Sequence, residues 1–469
     1  MKGKVLFNTI IGLVLVAFFG FLPLIGGHTV KEAKAAEVMV TVGVEMDQTG
    51  PLSVPGRKGL TAWQWYAEYL NDEIGGWKDL EENTVKLKVI HGDTGFKPSN
   101  SLSLYKKFKA QGVVAVTEVG SVELAAIRSA ALRDKMPSPT NSGSLIYPLP
   151  SPCFGHWADY SACSAAVIDY IKDKWEKSNA PWTKNRPPRL AFIGPEGYQS
   201  WAASITPEVM KYAKLQGVDV VGKFFVPMHP LDTKPQVMSA KTKDADFIYA
   251  GVVVSQGGAI VRDLYELGLK GDPTKNEDKI EIIGMFPMSP LEMIKLAGGK
   301  WEAVQDMRLI GSHAYIWEDK PTLKLIRRLA KKHGKTELLD VNYVAMFLDA
   351  MLTGEATKLA LQKVPGNKLK RQDVLEGFLR IKDFDSGGIV PSKITFNEEE
   401  RVAMKKVRVD KIVGEKGARE LVTYMDYKML APIYTKKYAK AHGKKSIYSA
   451  KTLGLFGLNE KEVGYNKIK

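Results

Sequence analysis

Val38-Met-Val-Thr-Val-Gly-Val-Glu-Met-Asp-Gln-Thr-Gly-Pro-Leu52 is the stretch on which the fold turns. Val38 to Val44 has the apolar, β-branched character of a strand. Gly50-Pro51 marks a turn. An amphipathic helix is expected from about Gly56 to Glu73, with Leu60, Trp63, Tyr66, Ala67 and Leu70 along one side. Gly75-Gly76 ends it.

Working outward, strand and helix keep alternating. Val85 to Ile90 reads as a strand, Ser99 to Ala110 as a helix and Val113 to Thr117 as a strand. Ser121 then opens a helix as its N-cap, with Glu123 in the first turn. Met136-Pro137-Ser138-Pro139 closes this block. After Pro152 a second block begins, with a helix over Asp159–Trp175 and a polar loop over Lys177–Pro188. A strand follows at Leu190–Ile193, one helix at Tyr198–Gln216 and a strand at Val218–Phe225. Phe247–Ala250, Ile282–Phe286 and Met307–Gly311 are further strands, and a helix runs from Gly257 to Leu267. Helices return at Pro321–His333 and Val341–Ala360. This alternation predicts an α/β fold with parallel sheets flanked by helices.

The first residues carry a different signal. Lys2 and Lys4 precede an almost wholly apolar run, Val5 to Ile25, and Ala33-Lys34-Ala35 has small-x-small spacing. Residues 1–35 are therefore expected to be a signal peptide cleaved near Ala35 or Ala36, which places the mature protein in the periplasm. No cysteine lies near that point to carry a lipid, and no second apolar run of spanning length follows. The remaining chain is long enough for two domains. The formal charge of +15 falls with the removed segment, which carries four Lys and one Glu. Acidic and basic residues are otherwise interspersed, the pattern of a solvated surface, and export argues against a nucleic-acid partner. The exception is Tyr427–Lys469, with ten Lys against two Glu, read as a basic C-terminal extension that packs on the surface.

Cys153 and Cys163 form a lone close pair, and in an oxidising compartment they are candidates for a disulfide. The alternative is two free buried thiols. The seven histidines (28, 91, 156, 229, 313, 333 and 442) are scattered without metal-ligand spacing. Gly-x-Ser-x-Gly, His-Glu-x-x-His, Gly-x-Gly-x-x-Gly and P-loop patterns are absent, so no enzyme, cofactor or metal site is expected.

The segment Val42–Leu52, followed by Gly56, Gly59 and Gly75-Gly76, resembles the start of periplasmic solute-binding proteins of ABC importers. The likeness is to the branched-chain amino-acid (Leu/Ile/Val-binding) type, with the type I periplasmic binding protein fold. It continues in Ile90-His-Gly-Asp-Thr-Gly-Phe-Lys-Pro98, Pro137-Ser-Pro-Thr-Asn-Ser142, Ala191-Phe-Ile-Gly-Pro-Glu-Gly-Tyr198 and Asp246-Phe-Ile-Tyr-Ala-Gly251. The resemblance implies two α/β lobes joined by three crossings, with a small solute held in the cleft and handed to a membrane permease. A monomer is expected, and a sensory ligand-binding protein of the same fold is the alternative. The expected division is lobe 1 over 36–152 plus 315–386 and lobe 2 over 153–314 plus 387–426. The crossings then lie at about Pro150–Phe154, His313–Trp317 and Phe384–Ile389.

Carried over by position, the loop that takes the solute's carboxylate falls on Gly120 and Ser121, and its partner loop on Thr140, Asn141 and Ser142. Tyr198 answers from lobe 2, where Val254 and Met288 are also expected at the solute. This chain departs from the amino-acid binders at three places. Pro55 stands where they have an aromatic, Val253-Val254 where they have a tyrosine, and Phe286-Pro-Met288 where a carboxylate pairs with the ammonium. An ammonium buried without a counter-charge costs several kcal/mol. Asp159 or Glu196 is the available substitute. Otherwise the pattern favours an organic or aromatic acid, with Trp157, Tyr160, Trp201 and Met288 as either pocket walls or hinge and core packing.

Overall fold

In a computed structural model the chain is described over residues 36–426, apart from 119, 142–148, 252, 286–287, 289, 404–405 and 414–417. The expected signal peptide (1–35), basic extension (427–469) and Ser142 lie outside the described residues. β1 (Glu37–Met46) is buried throughout Val42–Met46, which is why its sequence has no polar alternation. It lies between β3 (Thr84–Asp93) and β4 (Val116–Glu118), parallel to both, and β2 (Trp77–Lys78) adds antiparallel to β3. β5 (Ser138–Thr140) and β6 (Cys153–Gly155) form a parallel pair beside β4, held by the bond from the Val116 N–H to the Pro137 carbonyl (3.1 Å).

α1 (Ser53–Glu68) buries Leu60, Trp63 and Ala67 against this sheet, α2 (Pro98–Ala110) buries Tyr105 and Phe108, and α3 (Ser121–Arg133) buries Leu124 and Ile127. The second sheet has the order β13-β12-β11-β10-β9-β7-β8. Its strands are β7 (Arg189–Pro195), β8 (Asp219–Val226), β9 (Phe247–Ala250), β10 (Glu281–Met285), β11 (Arg308–Gly311), β12 (Lys406–Val413) and β13 (Ala418–Asp426). β7 to β11 are parallel, whereas β12 and β13 are an antiparallel hairpin at one edge. The hairpin was not legible in the alternation.

α4 (Tyr160–Glu176) leads into this half, with Asp159 as its N-cap accepting the Ser161 N–H at 2.9 Å. The single helix expected over Tyr198–Gln216 is instead interrupted. α5 (Gln199–Ala202) gives way to a 3₁₀ turn, and α6 (Pro207–Gln216) starts afresh with Pro207 in its first turn and the Thr206 hydroxyl accepting the Val209 N–H at 3.3 Å. Proline has no N–H to give a preceding turn, so a helix restarts there. α7 (Val254–Glu266) follows β9, and α8 (Pro321–Lys332), α9 (Val341–Leu361) and α10 (Arg371–Leu379) return to the first half.

Three crossings join the halves side by side. The Gly155 N–H donates to the Arg401 carbonyl (2.8 Å), the Ala403 N–H donates to the Gly155 carbonyl (2.9 Å), and the Ala314 N–H donates to the Ile389 carbonyl (2.7 Å). Ile389, Val390, Ile394 and Phe396 pack in the first-lobe core with Phe154 and Phe378. Residues 387–396, expected in lobe 2, therefore go with lobe 1, and the chain re-enters the second sheet at β12. Phe154 is part of that packing: its ring stacks on Phe378 at 4.6 Å and meets Phe396 at 5.3 Å.

Candidate solute-binding cleft

The carboxyl ends of β1, β3 and β4 converge, and short polar turns leave β1 and β3. The Asp47 carboxylate accepts the Gly50 N–H at 2.5 Å and the Leu52 N–H at 2.6 Å, which closes the turn into α1. Asp93 accepts the Gln48 N–H (2.8 Å) and the Thr49 hydroxyl (2.7 Å), tying the β1 turn to the β3 turn. Phe96, in the left-handed region at φ 58°, points across the cleft to Tyr198, with ring centroids 5.9 Å apart.

α3 starts beside them. The Leu124 N–H donates to the Gly120 carbonyl (3.1 Å), so Gly120 is the N-cap and Ser121 the first helical residue, and the helix starts one place earlier than expected. A Cβ on Gly120 would collide with the Glu123 carboxyl and sit 2.9 Å from Phe96. Only glycine lets Glu123 fold back against the helix start. Thr140 ends β5 fully buried, paired with Gly155 of β6, and Asn141 follows at 7 % exposure. The Thr117 hydroxyl donates to the Pro139 carbonyl at 2.9 Å, so β4 and β5 end close together.

Behind the helix start lies a group of buried carboxyls. The Ser101 hydroxyl is 2.7 Å from Glu45 and 3.0 Å from Glu118. One hydroxyl hydrogen cannot serve two carboxylates, so one of the acids carries a proton. Burial pushes Glu45 up to about 8, and burial with the neighbouring Glu45 holds Glu118 well above the carboxylate range. Glu123 is pushed up to about 7, first by burial and then by the charges of Asp47 and Asp93, against a lowering bond from Thr94.

A cavity of about 650 Å³ faces α3 from the second lobe. Val122 lines it together with Tyr198, Trp201, Ile205, Pro207 and Phe225, and Lys223 stands among the same residues. Trp201 is 2 % exposed and lies over Gly194 and Gly251, where any Cβ would overlap its indole. Those two glycines, at the ends of β7 and β9, set how deep the wall sits. The aromatic wall was partly legible at Tyr198 and Trp201. Ile205, Pro207 and Phe225 were missed, although the Thr206-Pro207 break was a signal in plain sight.

Other expected residues fall elsewhere. Val254 opens α7, half-buried, and does not line this cavity. Met288 is a correction: it is fully buried in the second-lobe core, its sulfur fitted over Gly257 and Gly284. Asp159 serves as the α4 cap, while Glu196 is exposed in the turn after β7. Trp157 is hinge packing, stacked on His313 at 4.0 Å. The expected Cys153–Cys163 disulfide is also corrected, since both are free, buried thiols. Their surroundings differ. Cys153 sits among Ser151, Arg128 and Arg401 and is pushed up to about 11 by burial, whereas Cys163 turns toward the Ala158 carbonyl at 3.8 Å and is raised further by burial.

Two α/β halves, three adjacent crossings and a cavity walled from both halves define a two-lobed solute-binding protein. The chain belongs to the periplasmic binding protein family, matching it over residues 39–418. Among solved structures it is similar to a branched-chain amino acid ABC transporter protein from Thermus thermophilus with bound valine, at 18% identity and TM-score 0.71, covering 87% of this chain and 100% of that one. It is likewise similar to a fatty acid ABC transporter substrate-binding protein from Thermomonospora curvata, at 20% identity and TM-score 0.69, covering 86% and 98%. A solute-binding protein from Rhodopseudomonas palustris HaA2 in complex with p-hydroxybenzoic acid matches at 14% identity and TM-score 0.66, covering 84% and 99%. At such identities the likeness speaks for the fold. No curated protein matches the chain. Among the described residues no helix is long and apolar enough to cross a membrane.

Proposed function

We propose that this protein, after export and cleavage near Ala35 or Ala36, captures a small carboxylate-bearing solute between its lobes and delivers it to the permease of an ABC importer. The observation that carries the reading is the helix start at Gly120–Ser121, which faces an aromatic-walled cavity of about 650 Å³ through Val122. A helix N-terminus turns the positive end of its dipole toward a carboxylate. Valine, fatty acids and p-hydroxybenzoic acid, named for the three similar structures, all carry that group.

The solute is an organic or aromatic acid in preference to a branched-chain amino acid. Met288 fills core volume where the amino-acid binders keep a carboxylate, and Asp159 is engaged as a helix cap. Neither of these two positions is then left to pair with an ammonium, and Tyr198, Trp201 and Phe225 favour an apolar or aromatic body. A thermal-melt panel tests this. A ligand at 100 times its Kd adds about 2.7 kcal/mol, a clear rise in midpoint. Aromatic and aliphatic acids should raise it and leucine, isoleucine and valine should not; the reverse pattern would overturn the acid reading.

A further inference from the structure

Four polar residues that no solute-binding role uses line up through the hinge. His156 follows β6 in the first crossing, and His313 follows β11 in the second. His156 Nδ1 is 2.8 Å from His313 Nε2, and His156 Nε2 is 3.0 Å from Asp349 Oδ1 on α9. Beyond His313, Nδ1 is 3.2 Å from the Ser312 hydroxyl. None of the four is more than 1 % exposed. At the other end, Asp349 takes a bond from the backbone N–H of Asn141, in the loop after β5.

With both rings neutral, such a chain has only two self-consistent arrangements. In one, the Ser312 hydroxyl donates to His313 Nδ1, His313 Nε2–H donates to His156 Nδ1, and His156 Nε2–H donates to an ionised Asp349. In the other, every donor reverses, and Asp349 carries one more proton. With neutral rings, both histidines must therefore hold the same tautomer. Burial, His156 and the Arg408 cation all keep His313 neutral. The Trp157 indole, 4.0 Å away and nearly parallel at 12°, holds its ring in place.

We infer that His313, His156 and Asp349 are positioning residues, fastening the loop at Thr140–Asn141 to the first and second crossings so that loop placement and lobe orientation move together. The inference rests on the reading that this loop belongs to the solute site. Neither histidine could supply the link alone, because each ring spans one gap only. A hinge held merely by packing would need no directional chain, and apolar side chains would cost less to bury.

The experiment uses the ligand-free full-length protein, so it decides the coupling whether or not any acid binds. Ring ¹⁵N spectra should give His156 and His313 the same tautomer. One Nδ1–H ring beside one Nε2–H ring would overturn the chain. Hydrogen exchange by mass spectrometry then compares His313→Leu with His313→Gln, whose amide can donate in place of Nε2. His313→Leu should speed exchange about tenfold at the Asn141 loop, although residue 313 does not bond to that loop, and His313→Gln should restore protection. If His313→Leu fails to fold, Asp349→Ala, which has no acceptor, takes its place and should release the loop and both crossings together. Loosening confined to the substituted residue's own segment, or equal loosening in the Leu and Gln variants, would overturn the inference.

Discussion

Glu123 and Ser121 share one helix start with opposite electrostatic consequences. The N–H groups there attract an anion, while an ionised Glu123 repels it. Because burial pushes Glu123 up to about 7, its carboxyl is neutral below that pH and charged above it. Affinity for an acid ligand should therefore fall as pH rises through about 7, and Glu123→Gln should flatten that decline. Calorimetric titration from pH 5.5 to 8.5 with whichever acid raises the melting midpoint checks it. Glu45 acts on stability instead. Its folded value of about 8 lies above the ordinary 4.5, so between those limits the folded state holds more protons than the unfolded chain. Stability contributed at low pH is lost as pH rises through that window, and Glu45→Gln should show a shallower loss in denaturant midpoints. The two cysteines give a third residue-level outcome: denatured protein made in the periplasm should titrate as two thiols, and native protein should react slowly because both are buried and raised.

At the scale of elements, the cavity depends on where helices stop and glycines sit. Trp201 can lie flat across the ends of β7 and β9 because Gly194 and Gly251 have no side chain. Gly251→Ala should push the indole into the cavity, costing about 1–3 kcal/mol by overpacking. Solute binding should weaken more than that stability loss explains. Denaturant melts paired with ligand titration would separate the two effects. The break at Thr206-Pro207 was misread as continuous helix because the apolar spacing runs on through it, yet it turns Ile205 and Pro207 toward the cavity. Periodicity reports which face is apolar and says little about where the axis bends.

For the whole molecule, solute that touches Val122 from one lobe and Tyr198 from the other must favour whichever arrangement lets it touch both. Small-angle scattering should show a smaller radius of gyration with bound solute than without. An unchanged radius, in a sample shown by its melt to be saturated, would count against closure.

Local pattern determined much of this protein. The β1 run, the alternation of strand and helix and the turn glycines each follow from forces that act within a few residues, and those are written in order along the chain. Tyr198 follows from the family resemblance instead, and the residues alone leave Trp201 open between pocket wall and core packing. Tertiary structure alone decided the rest. His156, His313 and Asp349 are separated by 157 and 193 residues from partner to partner and come within hydrogen-bonding reach only where two crossings run together. Glu45, Ser101 and Glu118 meet only because β1 lies against β4 under α2. Met288 looked like a pocket residue until Gly257 and Gly284 opened a slot for it in the core. Burial and pairing of distant side chains depend on how whole sheets stack, and no window of sequence contains that information.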